Sequence, residues 1–335
     1  MRVAVVILNY NGEHHLAHYL PTVVCNSGGA DIIVADNGST DNSVTLIKRD
    51  FSSVRLVELG SNYGFAEGYN RALAELDEYD CYVLLNSDVY TPEGWLEPLV
   101  ARIESDPNIG VVGPKILSDA DHSSFEYAGA AGGFIDYLGY PFCRGRILST
   151  LEKDEGQYND AREVFWVGGA AFCVRKSVYR SLGGLCSDFF AHMEEIDLCW
   201  RMQLDGWRVV VEPKSRVYHL GGGTLAANSP RKIFLNHRNN LAMLFRCASP
   251  LQRAVVAVVR PFTDLAAALS YLVGGNSAGA KAVLRAWREF IAWHGRLAKE
   301  RQEIRGYAKS NPRYIYKGII VLRHLFGKRK FEKLL

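Results

Sequence analysis

Three acidic side chains, Glu194, Glu195 and Asp197, stand within four positions of the stretch FFAHMEEIDLCWR. A carboxylate that lies among apolar side chains and beside like charges has a raised pKa, which makes it a better general base near neutral pH. Such surroundings are supplied by Phe189, Phe190, Met193, Trp200 and Trp207. We therefore predict that Glu195, with Glu194 as the second choice, removes a proton from a substrate.

Simpler explanations exist for parts of this stretch. Asp197 and Arg201 are four residues apart, so a local ion pair on a helix accounts for Asp197. Glu194 and Glu195 at the start of a helix gain roughly 0.3 to 1 kcal/mol from the helix dipole. The dipole does not explain the surrounding aromatic residues, so a role in proton transfer is retained for the two glutamates.

A second group of candidates follows apolar, strand-like runs near the N terminus. Asp36 ends DIIVAD, where it could accept a hydrogen bond from a base or ribose, and the ring of Tyr10 could stack on the base. Ser87 and Asp88 follow CYVLLN, and Asp88 could bridge a hard divalent cation to a diphosphate. The alternative is that these are ordinary turn and helix-capping residues.

The segment NYGFAEGYNRAL, residues 62–73, is glycine-rich and enters a predicted helix. It offers backbone N–H donors to a phosphate, together with Asn70 and the charge of Arg71. It matches neither the Walker A pattern nor GxGxxG, and the first turn, NYNGEHH, also lacks the dinucleotide pattern. His219 precedes three glycines, which favours close approach of a ligand, although a lone histidine is more often structural.

Alternating strands and helices must position these residues. Strand-like runs at 3–10, 31–36, 54–59, 81–88 and 109–117 are separated by helical stretches at 14–25, 41–50, 66–77 and 93–105. This order predicts an α/β fold with a doubly wound, mostly parallel sheet, in which ligands bind beyond the carboxyl ends of the strands. The strand-end candidates are therefore expected to lie together.

The rest of the chain predicts fewer regular strands. Residues 118–162 suggest a long ordered excursion or flap, and 163–185 a strand followed by a short helix. Residues 207–223 suggest a strand pair that ends in His219. From about 231 onward the pattern is helical. Residues 251–273 are apolar, but they are interrupted by Arg253, Arg260, Pro261 and Asp264, so we do not expect a membrane span.

The amino-acid composition indicates the class of protein and the cellular compartment to expect. The 335 residues are 48% hydrophobic and 22% charged, as in a globular protein, and seven scattered cysteines favour a reduced, cytoplasmic setting. The N-terminal apolar run is too short for a secretory signal.

Residues 281–335 hold 15 Lys and Arg against 4 Asp and Glu. This basic region could contact an anionic membrane surface or form a packed helical bundle, and no motif supports nucleic-acid binding.

The motifs in order resemble the inverting, GT-A-fold glycosyltransferase family 2, and in particular its rhamnosyltransferase-like bacterial members. The matching segments are VVILNYNG, IIVADNGSTDNS, NYGFAEGYNRAL, LLNSDVYTPEGWL, WVGGAAFCVRKSVYRSLGG and EEIDLCWRMQLDGWRVVVEPKSRVYH. The resemblance covers about residues 3–219. It implies a GT-A catalytic domain at 1–230, followed by a basic amphipathic helical region at 231–335.

The resemblance also implies roles for single residues. Asp36 would bind the nucleotide base, Asp88 would be the metal-binding acid, and His219 would be a further ligand of Mg²⁺ or Mn²⁺. The pair Glu194-Glu195 would contain the catalytic base. The chain departs from the family pattern twice, because Asn86 stands at the first position of the DxD-type motif and the usual Glu-Asp pair reads Glu-Glu.

The expected reaction is attack by a hydroxyl group of a saccharide or lipid-linked acceptor on the anomeric carbon of a nucleotide-linked sugar. Rhamnose as the sugar rests on the resemblance alone, and the glycine- and tyrosine-rich loop 123–146 is expected to shape the sugar and acceptor sites. The alternatives are a catalytically silent nucleotide-sugar-binding scaffold and a nucleotidylyltransferase, which would need a basic glycine-rich first turn. The expected location is the cytoplasm, with contact to the inner face of the cell membrane.

Overall fold

The computed structural model describes residues 1–221 and 229–334. The β-strands of these ranges are β1 (Val3–Asn9), β2 (Ala30–Asp36), β3 (Arg55–Glu58), β4 (Cys81–Asn86), β5 (Val89–Tyr90), β6 (Ile109–Ser118), β7 (Gly133–Asp136), β8 (Pro141–Cys143), β9 (Arg146–Ile147), β10 (Thr150–Leu151), β11 (Arg162–Glu163), β12 (Ala171–Arg175), β13 (Arg208–His219) and β14 (Ile315–Tyr316). The α-helices are α1 (Glu13–Asn26), α2 (Ser43–Asp50), α3 (Gly64–Ala74), α4 (Glu97–Glu104), α5 (Lys176–Ser181), α6 (Glu194–Leu204), α7 (Pro230–Cys247), α8 (Pro250–Val273), α9 (Ser277–Ala292), α10 (His294–Tyr307) and α11 (Ile320–Leu325). Short 3₁₀ helices lie at Ser187–Phe189 and Phe331–Lys333.

The main sheet has nine strands in the order β11-β13-β6-β12-β4-β1-β2-β3, with β5 paired to β13. β1, β2, β3, β4, β6 and β13 run in one direction, whereas β5, β11 and β12 run against them. The doubly wound, mostly parallel sheet that the sequence predicts is thus confirmed.

Side chains of the central strands are buried on both faces of this sheet. On β1, Val3, Val5 and Ile7 join a core with α1, α2 and α4, whereas Ala4 and Val6 join a second core with α3, α5 and α6. Full burial of one such Val or Ile side chain contributes about 1.5 to 3 kcal/mol. This two-sided burial explains why the predicted strands are nearly continuous apolar runs.

The carboxyl ends of the parallel strands lie at one edge of the sheet, which we call the strand-end edge. Asn9 of β1 is in register with Asp36 of β2, and Leu8 is in register with Asn86 of β4. Because β12 is antiparallel to β4, the residues that precede Ala171 reach the same edge. The positions predicted to bind ligand are therefore neighbours in space.

Two segments differ from the sequence prediction. Residues 118–162 contain the strands β7 to β10, and these form a second, five-stranded sheet with β14 from the C-terminal region, in the order β10-β9-β8-β7-β14. The strands are two to four residues long, too short to produce a detectable period. The predicted strand pair at 207–223 is instead the single strand β13. The register of its pairing with β6 shifts between Glu212 and Arg216, so Pro213 lies in a bulge within the strand and does not begin a turn.

The C-terminal helices share a core with the main sheet. Ala242, Leu297, Ile304 and Phe331 belong to the same cluster of buried residues as Val6 of β1. In the region from about residue 231 that the sequence predicts to be helical, α9 and α10 are separated at Trp293. The apolar side of α9 packs inside the protein, as the packed-bundle alternative expects, and the division of the chain at residue 230 stays a prediction.

Helix α8 is long and apolar enough to meet a length and composition criterion for a membrane span, and it is the one helix of the described ranges that does so. The sequence analysis did not expect this. Gln252, Arg260 and Asp264 lie on the side that faces the protein, where Arg260 and Asp264 form a buried ion pair at 3.2 Å. Arg260 also donates to the carbonyl of Leu138 at 3.0 Å. These contacts fasten one side of α8 to the rest of the fold.

Candidate active site

The turns after β1 and β2 are joined by hydrogen bonds at the strand-end edge. Asp36 is buried, and its two carboxylate oxygens accept from the Asn9 amide at 3.1 Å and from the Ser39 N–H at 2.9 Å. A carboxylate has about four acceptor positions, so these bonds leave capacity for a ligand. The buried Oδ1 of Asn9 has no hydrogen-bond partner in the described residues. Two acceptors are thus held rigidly at this edge.

Tyr10 and Ser87 lie beside these acceptors. The Tyr10 side chain follows Asn9 and is 47% exposed, which leaves its ring open to stacking. A Cβ atom at Gly12 would contact the Asn9 amide oxygen and would lie 3.7 Å from the Ser87 hydroxyl. The structure therefore brings Tyr10, Asp36 and Ser87 to the same edge.

Asn70 does not reach this edge. Its amide donates to the Leu185 carbonyl at 2.8 Å and to the Ser187 hydroxyl at 3.1 Å, and its oxygen accepts from the Leu185 N–H and the Tyr179 hydroxyl. All four hydrogen-bonding positions of the side chain are used within the protein. The structure gives Asn70 a structural role instead of the nucleotide contact that the sequence suggested.

Arg71 lies on the outer side of α3. Its Nε donates to Glu67 at 2.7 Å, and its guanidinium lies 3.9 Å from the centre of the Tyr63 ring. The side chain is 49% exposed. Arg71 therefore keeps donors for an anion, and its predicted contact with a nucleotide stays a prediction.

Asp88 and His219 are adjacent and buried. His219, at the end of β13, is paired with Val89 of β5, and its Nε2 lies 3.2 Å from Asp88 Oδ1. Its Nδ1 lies 3.5 Å from Glu126 Oε1. Burial lowers the pKa of His219, but hydrogen bonds to Asp88 and Glu126 outweigh burial and raise it to about 10. Two of the three glycines after His219, Gly222 and Gly223, lie outside the described residues.

These side chains supply part of a cation site. No group of three or more His, Cys, Asp or Glu residues in 1–221 and 229–334 is arranged to hold a metal ion. Glu126 faces the opposite nitrogen of the His219 ring from Asp88, so the three side chains do not converge on one point. Mg²⁺ is often held by one or two carboxylates plus substrate phosphates. Asp88 and His219 fit a cation whose other ligands come from a diphosphate, provided that the cation displaces the proton of the His219 ring as it binds.

The acid pair begins helix α6. Glu194 is the first residue of the helix and is 5% exposed, whereas Glu195 is partly exposed. Burial raises the pKa of Glu195 to about 7. Burial, followed by the charges of Glu195 and Asp197, raises the pKa of Glu194 well above its ordinary value. The Oε2 atom of each glutamate has no hydrogen-bond partner among the described residues.

Glu195 lies close to the strand-end edge. A Cβ atom at Gly169 would be 3.4 Å from the carboxyl carbon of Glu195. Gly169 precedes Ala170, whose carbonyl accepts from the backbone N–H of Asn86 at 2.9 Å. The segment 168–170 thus lies between the Glu195 carboxyl group and the turn that carries Ser87 and Asp88.

The loop 188–193 leads into the acid pair and has an unusual backbone. Phe190, His192 and Met193 have positive φ angles of 64°, 72° and 73°, which cost about 1 to 3 kcal/mol each in residues other than glycine. The Asn239 amide donates to the carbonyls of Phe189, Ala191 and His192 at 2.8 to 2.9 Å. Arg238 donates to the carbonyls of Asp188 and Phe189. Helix α7 therefore holds this loop in place.

Sequence reasoning missed Glu126, Arg238 and Asn239. Glu126 stands in the glycine- and tyrosine-rich loop 123–146, which also holds Asp136, Arg144 and Arg146, so no local pattern distinguishes it. Arg238 and Asn239 act through contacts to residues 47 to 50 positions away, which no local pattern reveals.

Other predictions for this stretch have mixed outcomes. The ion pair of Asp197 and Arg201 is confirmed at 2.7 Å, and Arg246 adds a second cation at 3.0 Å. Phe189 and Trp200 are fully buried and therefore belong to the core beneath the acids. Trp207 lies beyond the other end of α6, where its indole N–H donates to Asp205 at 3.0 Å. Trp207 does not surround the glutamates.

Comparisons with known proteins agree with these features. The family model described as glycosyl transferase family 2 matches residues 4–183. The N-acetylglucosaminyl-diphospho-decaprenol L-rhamnosyltransferase of Mycobacterium tuberculosis is 27% identical over 256 residues, which cover 72% of this chain and 83% of that relative. Rhamnosyltransferase WbbL of Escherichia coli K12 is 26% identical over 225 residues, which cover 65% of this chain and 83% of that relative.

A solved structure supports the fold assignment. The mannosyltransferase PcManGT from Pyrobaculum calidifontis, in complex with GDP-Man and Mn²⁺, matches with a TM-score of 0.54 and 15% identity. The match covers 98% of this chain and 88% of that one. The GT-A fold that the sequence motifs implied is confirmed.

Proposed function

The chain belongs to glycosyl transferase family 2, and we propose that it transfers a sugar from a nucleotide-diphosphate donor with inversion at the anomeric carbon. It is a nucleotide-sugar glycosyltransferase of cell-surface glycan synthesis, as its family and its rhamnosyltransferase relatives indicate. The observation that carries the inverting mechanism is the position of the Glu195 carboxyl group, across Gly169 from the strand-end edge.

Glu195 is the general base in this proposal. The carboxylate of this partly exposed residue accepts the proton of the acceptor hydroxyl, and the hydroxyl oxygen attacks the anomeric carbon on the side opposite the diphosphate. The bond between the anomeric carbon and the diphosphate oxygen breaks, and its electron pair leaves with the diphosphate. One displacement inverts the configuration. Glu194 is less accessible, and burial together with the charge of Glu195 raises its own pKa, which makes it the second choice for the base.

The strand-end edge holds the nucleotide. Asp36 accepts a hydrogen bond from the base or ribose, the Tyr10 ring stacks on the base, and the Ser87 hydroxyl and Arg71 approach the ribose and phosphates. Asp88 and His219 would hold Mg²⁺ or Mn²⁺, in agreement with the Mn²⁺ in the PcManGT complex. When bound, the cation stabilises the negative charge of the departing nucleoside diphosphate.

The relatives narrow the donor and the acceptor. Two relatives are named rhamnosyltransferases, and one of these names specifies a diphospho-decaprenol lipid as the carrier. We therefore favour rhamnose as the sugar and a lipid-linked glycan as the acceptor. The family match disfavours both a silent nucleotide-sugar-binding scaffold and a nucleotidylyltransferase.

A panel of nucleotide sugars, each incubated with the full chain and Mn²⁺, tests this function. Release of a nucleoside diphosphate is expected from one donor, and NMR of the product of transfer to a saccharide acceptor should show an inverted anomeric configuration. Saturable donor binding without release from any donor, or a product of retained configuration, contradicts the proposal.

The outer side of α8 is the candidate surface for a membrane. Apolar side chains of this helix form an exposed stripe at spacings of three and four residues: Val258, Phe262, Leu265, Leu269 and Leu272. A helix with one apolar side can lie in the membrane interface, and the basic region 281–335 adds attraction to anionic lipids. This arrangement supports a cytoplasmic protein bound to the inner face of the membrane.

Co-sedimentation with vesicles that contain anionic lipid tests the membrane contact. The double variant Phe262→Ser/Leu269→Ser should lose most binding, since both side chains are more than half exposed and their change spares the core. Leu284→Ser on α9 is a matched control at an exposed leucine outside the stripe. Equal sedimentation of the unaltered chain and the two variants rules out the α8 surface as the membrane contact.

A further inference from the structure

A groove of about 700 Å³ opens between the N-terminal parts of α7 and α9, and we call it the basic groove. Its apolar lining consists of Phe190, Pro230, Phe234, Leu235, Ala278 and Ala282. Four cationic side chains complete it: Arg231, Arg238, Lys281 and Arg285. None of the described residues that line the groove carries a carboxylate, so its local charge is strongly positive.

Three of these cations have no carboxylate partner among the described residues. Arg238 pairs with Glu289 at 2.7 Å, whereas Arg231, Lys281 and Arg285 have no carboxylate oxygen within 4.0 Å in the described ranges. Two of them lie over aromatic rings instead, since Arg231 is 4.6 Å from the centre of Phe190 and Arg285 is 4.7 Å from that of Phe234. Charge-assisted hydrogen bonds to a phosphate would satisfy their donors.

The two helices add to the positive potential. Helix α7 begins at Pro230 and α9 at Ser277, and the groove is lined by the first turns of both. The N terminus of a helix carries a partial positive charge, so both helix dipoles favour an anion at this end. The groove therefore combines apolar walls with several sources of positive charge, a chemistry suited to an amphiphile with a phosphate or diphosphate group.

The groove is connected to the acid pair. Phe190, which lines it, is five positions before Glu195, a separation of at most ~18 Å along the chain. The Phe190 carbonyl also accepts from the N–H groups of Phe65 and Ala66, at 2.6 and 3.3 Å, at the start of α3. One short loop thus separates the groove from both the base and the predicted donor segment.

Helix α8, which carries the exposed apolar stripe, packs against the helices that form the groove. Ala268 of α8 belongs to the same buried cluster as Phe234 and Ala282, which line the groove. The exposed stripe of α8 includes Leu265 and Leu269, which flank Ala268 in sequence. A molecule with its phosphate in the groove could therefore extend a hydrocarbon chain towards the surface that we assign to the membrane.

We propose that the basic groove binds the diphosphate group of a lipid-linked acceptor and holds the acceptor sugar towards Glu195. This inference rests on the proposed function, because it assigns an acceptor class to the same active site. The apolar walls contact the first carbons of the lipid, and Arg231, Lys281 and Arg285 contact the diphosphate oxygens.

Titration with farnesyl diphosphate, a soluble isoprenoid diphosphate, tests the groove directly. The measurement is made on the full chain by calorimetry, with EDTA present so that no divalent cation supports diphosphate binding at Asp88. Lys281→Gln/Arg285→Gln should weaken binding at least tenfold. The control Arg288→Gln/Lys299→Gln removes two exposed cations from α9 and α10 outside the groove and should bind as the unaltered chain does.

Further ligands separate the two possible sources of affinity. Farnesol should bind weakly because it lacks the anion, and inorganic pyrophosphate should bind more weakly than farnesyl diphosphate because it lacks the chain. Equal affinity for pyrophosphate and farnesyl diphosphate would reduce the site to one for free phosphates and overturn the lipid assignment. Equal affinity of both double variants for farnesyl diphosphate overturns the groove itself.

Donor turnover distinguishes failure of the groove from failure of the proposed function. Hydrolysis of the donor by water does not use the groove, so Lys281→Gln/Arg285→Gln should retain the hydrolysis rate of the unaltered chain. Retained hydrolysis also demonstrates that this variant is folded. If the variant loses farnesyl diphosphate binding and its hydrolysis is unchanged, the groove is supported. If binding depends on the groove but the unaltered chain consumes no donor, the binding site is retained and the glycosyltransferase mechanism is contradicted.

Discussion

The side-chain amide of Asn239 donates a hydrogen bond to the backbone carbonyl of His192 at 2.8 Å. This bond joins the middle of α7 to a residue with a positive φ angle, two positions before Glu194. Asn239 is fully buried and contacts two further carbonyls of the same loop. The direction in which α6 presents its first residues therefore depends on a helix that lies outside the segment matched by the family model.

Asn239→Ala should lower both stability and turnover. Loss of the amide leaves buried carbonyls without donors, which costs about 1 to 3 kcal/mol and releases the loop. We expect a lower midpoint of thermal unfolding, a reduced kcat and an unchanged donor Kd. The apparent pKa of the pH–rate profile should also fall, since a mobile loop lets water reach Glu195.

Asn240→Ala is the matched control for this positioning role. Asn240 is also buried and adjacent, but its amide donates to the Gly139 carbonyl at 2.8 Å and reaches loop 188–193 only through a weak bond to the Met193 sulfur at 3.9 Å, not through the loop carbonyls. Its variant should lose stability without a shift in the pH–rate profile. Identical profiles for both variants would assign Asn239 a purely structural role.

Glu195→Gln should lower kcat by about 10² to 10⁴-fold, the usual contribution of a general base. The amide keeps the shape of the side chain, so the donor Kd should be unchanged. Single-turnover measurement of transfer with pre-bound donor checks this. Glu194→Gln should have the smaller effect, because Glu194 is the more buried of the two, and the reverse order of effects would transfer the role of base to Glu194.

The pH dependence of kcat/KM should report the raised pKa of Glu195. Because the base acts in its ionised form and burial raises its pKa to about 7, kcat/KM should fall roughly tenfold per pH unit below about 7 and level off above it. Initial rates between pH 5 and 9 check the profile. A plateau that extends down to pH 5 is incompatible with a base in this environment.

The same raised pKa should affect stability in the opposite direction. Between the ordinary pKa of 4.5 and about 7, the folded chain holds a proton on Glu195 that the unfolded chain has lost. Stability should therefore fall as pH rises through this window, by up to about 3 kcal/mol. Urea unfolding should find Glu195→Gln more stable than the unaltered chain at pH 8 and similar to it at pH 5.

Removal of the cation ligands should affect donor binding more than folding. Asp88→Asn and His219→Asn should each weaken the binding of Mn²⁺ in the presence of nucleoside diphosphate by at least tenfold, measured by the paramagnetic resonance of free Mn²⁺. EDTA should reduce transfer by the unaltered chain to a similar extent. Glu126→Gln should have a smaller effect on Mn²⁺ affinity than His219→Asn, since Glu126 faces the other ring nitrogen of His219 and would act only by orienting the ring.

Local sequence patterns were sufficient for the features that depend on near neighbours. Two-sided burial produces continuous apolar runs, which predicted the central strands, and the rule for parallel sheets placed Asp36 and Asp88 at one edge. The spacing of Asp197 and Arg201 predicted their ion pair. Each of these inferences needs only residues within one element or at its end.

The predictions that were wrong concerned residues whose structure depends on contacts with distant parts of the chain. Pro213 reads as a turn by itself, but pairing with β6 on both sides of it keeps β13 continuous. Asn70 reads as a polar residue of a phosphate loop, yet the segment around Leu185 takes all of its hydrogen bonds. Whether such a side chain binds a ligand or another part of the protein depends on which partner the fold places nearer to it.

By itself, the sequence determined the α/β order, the strand-end acids and an acid pair at the start of a helix. Only the tertiary structure decided that Glu195 lies against Gly169, that Asn239 holds the loop before the pair, and that cations of α7 and α9 meet in one groove. The physical reason is the separation along the chain between the residues that determine each feature. Strand and helix periods arise between residues a few positions apart, whereas burial and pKa depend on every segment that packs around a side chain.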